Sequence, residues 1–222
     1  DVGELLVRGP QVTEGYWNRP DATADAFVDA DDLPEDAVTA GTPPDERVGE
    51  GETDPEAAAA EPWFRTGDIV QLRPDGYVAF RERAKQLLVL STGKNVAPGP
   101  IEDRFATSDR VEQVLVLGDG RKFVGALIVP NFQRLRAWAT ENGVSLPDDR
   151  EEVVRDDRVV EWVGEAVADV NATLDDVEAV KRFELVPHEW TADNNLLTPS
   201  MKKRRRSITD AYAEQIERIY SE

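Results

Sequence analysis

The chain has 222 residues, of which 40% are apolar, enough for one or two domains with real cores and too many for a wholly disordered polypeptide. Its 45 acidic residues outweigh 26 basic ones, and the formal net charge of -19 argues against general binding to nucleic acid or to an anionic membrane. The absence of cysteine excludes a disulfide framework and a thiol nucleophile, and no apolar run approaches the roughly 20 residues of a membrane span.

Residues 3–9 read as a strand, and a chain that starts at Asp1 without Met and moves straight into it looks cut from something longer. Thr23 to Phe27 read as a short helical turn after Pro20. Residues 29–61 are the outlier: ten carboxylates, from Asp31 to Glu56, stand against the single base Arg47, with Pro34, Pro43, Pro44 and Pro55 among them. Such a stretch cannot bury enough apolar surface to order itself and is expected to be a disordered acidic insertion. Ile69 to Leu72 and Tyr77 to Phe80, joined by Pro74-Asp75-Gly76, read as a β-hairpin with an Asp-Gly turn. Leu87 to Leu90 read as a strand, and Pro100 as the first residue of a helix with Ile101 and Phe105 on one face. Val114 to Leu117 and Phe123 to Val129 form a second hairpin around Asp119-Gly120. Phe132, Leu135 and Trp138 mark a helix ended by Gly143. Val160, Val163, Val167, Val170 and Leu174 make a longer helical stripe, Phe183 and Leu185 a strand, and residues 204–220 a final helix. From residue 86 onward the pattern is that of a small α+β domain.

Several segments bear on chemistry. Thr66-Gly67-Asp68 is a short acidic turn at a strand edge; its carboxylate can accept bonds from a sugar diol, or can simply bond its own backbone. Arg81, Arg83 and Lys85 alternate and would share one strand face. Ser91-Thr92-Gly93-Lys94-Asn95 resembles the end of a phosphate loop, but Leu88 stands where that loop needs Gly. His188, the only histidine, has no nucleophile partner in any motif, and no spacing of metal ligands stands out. Most informative is Leu197-Thr198-Pro199-Ser200-Met201-Lys202-Lys203-Arg204-Arg205-Arg206. It sets five cations before a helical pattern, where they oppose the helix dipole by roughly 0.3–1 kcal/mol each. Either they meet an anion or they form a solvated basic turn.

Taken in order, these motifs resemble those of the adenylate-forming superfamily, and specifically of AMP-forming long-chain fatty acyl-CoA synthetases. Gly3-Glu4-Leu5-Leu6-Val7-Arg8-Gly9, continuing through Gly15 to Thr23, looks like the family's segment near the end of its large domain. Trp63-Phe64-Arg65-Thr66-Gly67-Asp68 looks like its ribose motif and Arg83-Ala84-Lys85 like its hinge. Gly93-Lys94-Asn95-Val96-Ala97-Pro98 with Ile101-Glu102 is similar to the loop that follows. Leu197 to Lys202 is similar to its closing lysine motif, with Met201 where the wider superfamily usually has Gly.

The resemblance implies an α+β chain. Residues 1–84 would be the β-rich C-terminal end of the large adenylation domain, with the insertion at 29–61, and residues 85–222 a small mobile domain after a hinge at Lys85. It implies a ligase that joins a fatty acid to CoA at the expense of ATP, releasing AMP and pyrophosphate. Lys202 would be catalytic in adenylate formation, Asp68 and Arg83 would bind the ATP/AMP ribose, and the Gly93 loop would line the CoA pantetheine path. Mg2+ would accompany ATP on ligands outside this chain. The phosphate loop, the acyl tunnel and the rest of the N-terminal adenylation core are missing, so the chain alone should be inactive. The resemblance further implies no nucleic-acid partner, no transmembrane segment, room for peripheral membrane contact, and a cytoplasmic location. The carboxylate-rich, lysine-poor composition looks like a halophile's, in whose salt the screening length falls to roughly 3 Å at 1 M. Two alternatives stand beside this reading: a stand-alone non-catalytic binding or regulatory module derived from such an enzyme, and a ligase for aryl or shorter acyl acids.

Overall fold

The computed structural model describes residues 2–33 and 62–221. Most of the expected acidic insertion, residues 34–61, lies outside them; its described beginning, Ala30–Asp32, is one turn of 3-10 helix. The chain divides into two compact units, Asp1–Lys85 and Gln86–Glu222.

The first unit is built on one long strand. β3 (Trp63–Leu72) pairs antiparallel with β1 (Val2–Val7) along one edge. Along its other edge it pairs with β2 (Phe27–Val28) near its start and with β4 (Val78–Arg83) near its end. The short helix α1 (Pro20–Ala26) leads into β2, with Pro20 in its first turn, where the missing N–H costs nothing. The β3–β4 hairpin turns at Arg73-Pro74-Asp75-Gly76-Tyr77, as the Asp-Gly signal predicts: Gly76 N–H donates to Arg73 O at 3.0 Å and Arg73 N–H to Tyr77 O at 2.9 Å. Among the described residues the only buried side chain of this unit is Glu82; Tyr77, Phe80 and Trp17 are exposed.

The second unit holds the core. β7 (Val111–Leu117) and β8 (Val124–Pro130) form the expected second hairpin, and β9 (Val180–Leu185) lies parallel to β8 on its far side. A central strand covered on both faces must be apolar throughout, and all seven residues of β8 are buried. The crossover from β8 to β9 carries α3 (Phe132–Glu141), α4 (Arg150–Val153) and α5 (Asp157–Asn171), to be distinguished from α2 (Pro98–Phe105) before β7. The side chains of Asn131, Asp149 and Asp156 cap α3, α4 and α5 by accepting backbone N–H groups of the first turn. A small ladder of β5 (Leu88–Val89) and β6 (Asn95–Val96) precedes α2. The chain ends in α6 (Arg205–Ala211) and α7 (Ala213–Tyr220).

Four local expectations shift. α2 opens at Pro98, not Pro100, because Ala97 is the last residue with extended backbone. The buried stripe of α5 runs through Val159, Trp162, Val163, Ala166, Val167 and Val170, while Val160 points to solvent. The single final helix is two, since Tyr212, at φ -116° and ψ 31°, leaves the helical region. The turn expected at Thr23–Phe27 is three residues longer at its start and ends one earlier.

Gly125 in β8 lets α7 approach the sheet: a Cβ there would lie 2.7 Å from Ile219 Cγ2 and 2.9 Å from Tyr220 Oη. Burial pushes the Tyr220 phenol up to about 12, with Arg121 opposing the shift. Gly125→Ala should therefore destabilise the chain by roughly 1–3 kcal/mol, the cost of overpacking, measured by denaturant unfolding. The raised Tyr220 value means the folded state holds a proton that the unfolded state releases near pH 10. Stability contributed by neutral Tyr220 is thus present below pH 10 and is lost as pH rises from about 10 to about 12. Tyr220→Phe should flatten this alkaline loss, followed by circular dichroism.

Candidate active site

Asp68 and Arg83 face each other across the β3–β4 ladder. Arg83 Nε lies 2.8 Å from Asp68 Oδ1, and Arg83 Nη1 donates to Thr66 O at 3.1 Å. Thr66-Gly67-Asp68, expected as a turn, lies within β3; the Thr66 hydroxyl donates to Leu5 O at 2.7 Å and accepts the Asp68 N–H at 3.1 Å, so this stretch is tied to β1 at the point where the β1–β3 register shifts. The Arg83 contact is one of charge and distance; Oδ1, shielded from solvent, receives no hydrogen bond and keeps its acceptor capacity. The sequence reading brought these two residues to one place, and the structure does too.

Arg81, Arg83 and Lys85 do not share one face. β4 carries one extra residue: Ile69 pairs with Glu82 and Val70 with Phe80, so Arg81 is bulged out and the alternation breaks. Arg81 reaches Gln71 instead, and Lys85 lies beyond the strand in the 3-10 turn Ala84–Gln86. That turn straddles the boundary between the two units.

The Gly93 loop and the Lys202 loop have one shape. In the first, Gly93 N–H donates to Leu90 O at 2.8 Å and Leu90 N–H to Lys94 O at 2.9 Å. In the second, Met201 N–H donates to Thr198 O at 2.8 Å and Thr198 N–H to Lys202 O at 2.8 Å. The fourth residue of each is left-handed, Gly93 at φ +79° and Met201 at φ +62°. The Thr198 hydroxyl accepts the Lys202 N–H at 3.0 Å, a contact with no counterpart in the Gly93 loop. Both closing lysines, Lys94 and Lys202, are exposed, and among the described residues neither has an ion-pair partner.

The basic cluster splits into two roles. Lys203 Nζ lies 2.5 Å from Glu102 Oε2, and Arg205 Nη2 lies 2.5 Å from Oε1. Glu102 Oε1 also accepts the Val116 N–H at 3.0 Å, while Arg205 Nη1 donates to Val116 O at 2.9 Å. The Glu102 side chain is only 11% exposed. The anion that Lys203 and Arg205 meet is therefore the chain's own, whereas Lys202, Arg204 and Arg206 face solvent. Glu102 appeared in the sequence only as part of the Ile101-Glu102 motif; no local pattern ties it to a partner about a hundred residues away. His188 is exposed, 3.9 Å from Glu151, and joins neither cluster.

The three-stranded sheet and its helices make the second unit a small α+β domain. The chain belongs to the AMP-binding enzyme C-terminal domain family, which residues 85–222 match. Among curated proteins it is 30% identical over 221 residues to the long-chain-fatty-acid–CoA ligase FadD15 of Mycobacterium tuberculosis, covering 100% of this chain and 32% of that protein. It is also 30% identical over 222 residues to the human long-chain-fatty-acid–CoA ligase 1, covering 99% of this chain and 27% of that one. The chain thus spans between about a quarter and a third of the length of these relatives. Among solved structures, the adenylation domain of a carboxylate reductase from Mycobacterium chelonae matches at a TM-score of 0.65 and 24% identity, over 100% of this chain and 28% of that one. The homologous domain from Segniliparus rugosus, solved with AMP and a carboxylic acid, also matches at 0.65, with 23% identity over 99% of this chain and 28% of that one. The resemblance read from the motifs is borne out in family and in fold.

The shared loop shape predicts opposite effects at equivalent positions. Gly93→Ala meets nothing within 4 Å, so its cost is that of the backbone alone, about 1–2 kcal/mol. Met201→Gly removes the same strain and should be neutral or stabilising by up to about 1 kcal/mol after the entropy cost of Gly. Paired thermal unfolding of the two variants checks both signs.

Proposed function

We propose that this chain is the C-terminal part of an AMP-forming long-chain fatty acid–CoA ligase that works in the cytoplasm. The observation that carries the reading is the exposed Lys202 at the closing position of a hydrogen-bonded loop, in a chain that covers the C-terminal-domain family and aligns throughout with long-chain ligases. The first unit supports it as well: a sheet among whose described residues no apolar side chain is buried needs another layer to cover it, which the rest of an adenylation domain would supply.

In this reading a fatty-acid carboxylate oxygen attacks the α-phosphorus of ATP and pyrophosphate leaves. The CoA thiol then attacks the acyl carbon and AMP leaves. Asp68 accepts the ribose hydroxyls on its oxygens, and Arg83 holds that carboxylate in place. Lys202 brings a compact positive charge to the carboxylate and the α-phosphate, where negative charge concentrates during transfer. Lys85 is the hinge about which the second unit turns between the two steps, and the Gly93 loop then lines the pantetheine path, where the absence of a side chain lets backbone approach the thiol arm. Among the described residues no group of three or more His, Asp or Glu could hold a metal ion. In this reading Mg2+ comes with ATP. No described helix is long and apolar enough to cross a membrane.

In the complete synthetase, Lys202→Ala should abolish acid-dependent exchange of pyrophosphate into ATP while largely sparing thioester formation from supplied acyl-adenylate. Asp68→Ala should weaken ATP binding by roughly tenfold or more, from the loss of charge-assisted hydrogen bonds to the ribose. Equal loss of both half-reactions in Lys202→Ala would overturn the role given to Lys202.

A further inference from the structure

We propose that Glu102 is a positioning residue for Lys202, a role that rests on the reading of Lys202 above. Lys203 is joined to Leu197 by an isolated antiparallel bridge, and from Lys202 to Arg206 exposed and half-buried residues alternate. Glu102 draws the Lys203 ammonium inward to 2.5 Å. Its neighbour Lys202 is thereby turned outward, as its exposure records. Two residues further on, Arg205 is held by the same carboxylate and by Val116 O. The segment leaving the lysine loop is fastened at two points spaced by two residues, and cannot rotate about its own axis without breaking one of them.

The clamp also sorts charge. Of the five consecutive cations, Lys203 and Arg205 share the one carboxylate of Glu102, and Lys202 is left with no ion pair among the described residues. Glu102 sits on α2, which follows directly from the Gly93 loop through β6. The two loops assigned to the two half-reactions are thus fixed to one helix, and they move as one body when the second unit moves.

The test uses the complete synthetase and three variants: Lys202→Ala, Glu102→Gln and Lys203→Met. Glu102→Gln keeps the shape and the Val116 contact but loses the charge. Lys203→Met removes one arm of the clamp and leaves Glu102 paired with Arg205. Acid-dependent pyrophosphate exchange, thioester formation from supplied acyl-adenylate, KM for ATP and thermal unfolding are measured on each. A misaimed reactive group costs up to roughly 10²-fold in rate. Glu102→Gln is accordingly expected to lower kcat for exchange by 10- to 100-fold, with thioester formation and KM for ATP changed less than about threefold. Lys203→Met should give the same split with a smaller loss. If Glu102→Gln fails to fold, Lys203→Met decides by the same criterion. Normal exchange in both clamp variants, with Lys202→Ala dead for exchange, overturns the positioning role alone. Equal loss of both half-reactions with a lowered unfolding temperature also overturns it, since the carboxylate would then serve only stability. Normal exchange in Lys202→Ala overturns the underlying reading of the loop.

Discussion

One partly buried carboxylate, that of Glu102, joins α2 to β7 and to a segment about a hundred residues further along the chain. It receives the Val116 N–H from β7, and the cationic side chains of Lys203 and Arg205 from the segment entering α6. The arrangement has little to do with net stabilisation, since the cost of desolvating a carboxylate and two cations offsets much of their attraction. What it supplies is register. An apolar contact at the same place would tolerate sliding and rotation, whereas a carboxylate with each oxygen assigned to a different donor admits one alignment. The basic run that looked out of place in so acidic a chain is placed by this requirement. Cations at the start of α6 oppose its dipole, and the ion pairs with Glu102 offset that penalty.

The rest of the second unit provides a firm base for that alignment. β8 is buried along its whole length, and α2, which carries Glu102, packs on β7 and α5. Ile101 and Phe105, fully buried on α2, flank Glu102 and fix the helix against the sheet at about 1.5–3 kcal/mol apiece. A helix anchored so firmly can hold a loop in place. At the other end, Gly125 brings α7 onto β8, and the Phe123 and Tyr220 rings meet at 5.1 Å, so the segment after the lysine loop is tethered at both of its ends.

The features legible in the sequence were those whose cause is local. The β3–β4 hairpin follows from Asp75-Gly76, where one residue must be left-handed, and α3 ends at Gly143 for the same reason. Asp68 and Arg83 could be paired because both lie on recognisable motifs. The failures are positions where tertiary context decides between equivalent local options. Either Pro98 or Pro100 can start a helix, and the buried Ile101 and Phe105 settle the phase. Either Val159 or Val160 can begin the stripe of α5, and the sheet face selects Val159. An unbroken pattern of Ile208, Tyr212, Ile216 and Ile219 gave no sign that the helix breaks at Tyr212, whose ring is buried against the core. The Arg81 bulge and the Glu102 clamp were out of reach, because each depends on a partner strand or segment that no local pattern identifies.

The two lysine loops show how one backbone solution serves different demands. Both close a five-residue turn on the same pair of backbone hydrogen bonds, and both present a lysine at the closing position. At the left-handed position the Gly93 loop uses the residue that enters this conformation without cost, and so leaves the backbone bare beside whatever passes it. The Lys202 loop accepts the strain of Met201 and adds the Thr198 hydroxyl, which holds the Lys202 backbone from within. In the proposed reaction these differences have a rationale. A path for a thin pantetheine arm is served by missing side chains, whereas a lysine that must meet one phosphate oxygen is served by a loop that cannot flex. The Glu102 clamp continues the same logic one residue further along the chain, by fixing which way that lysine faces.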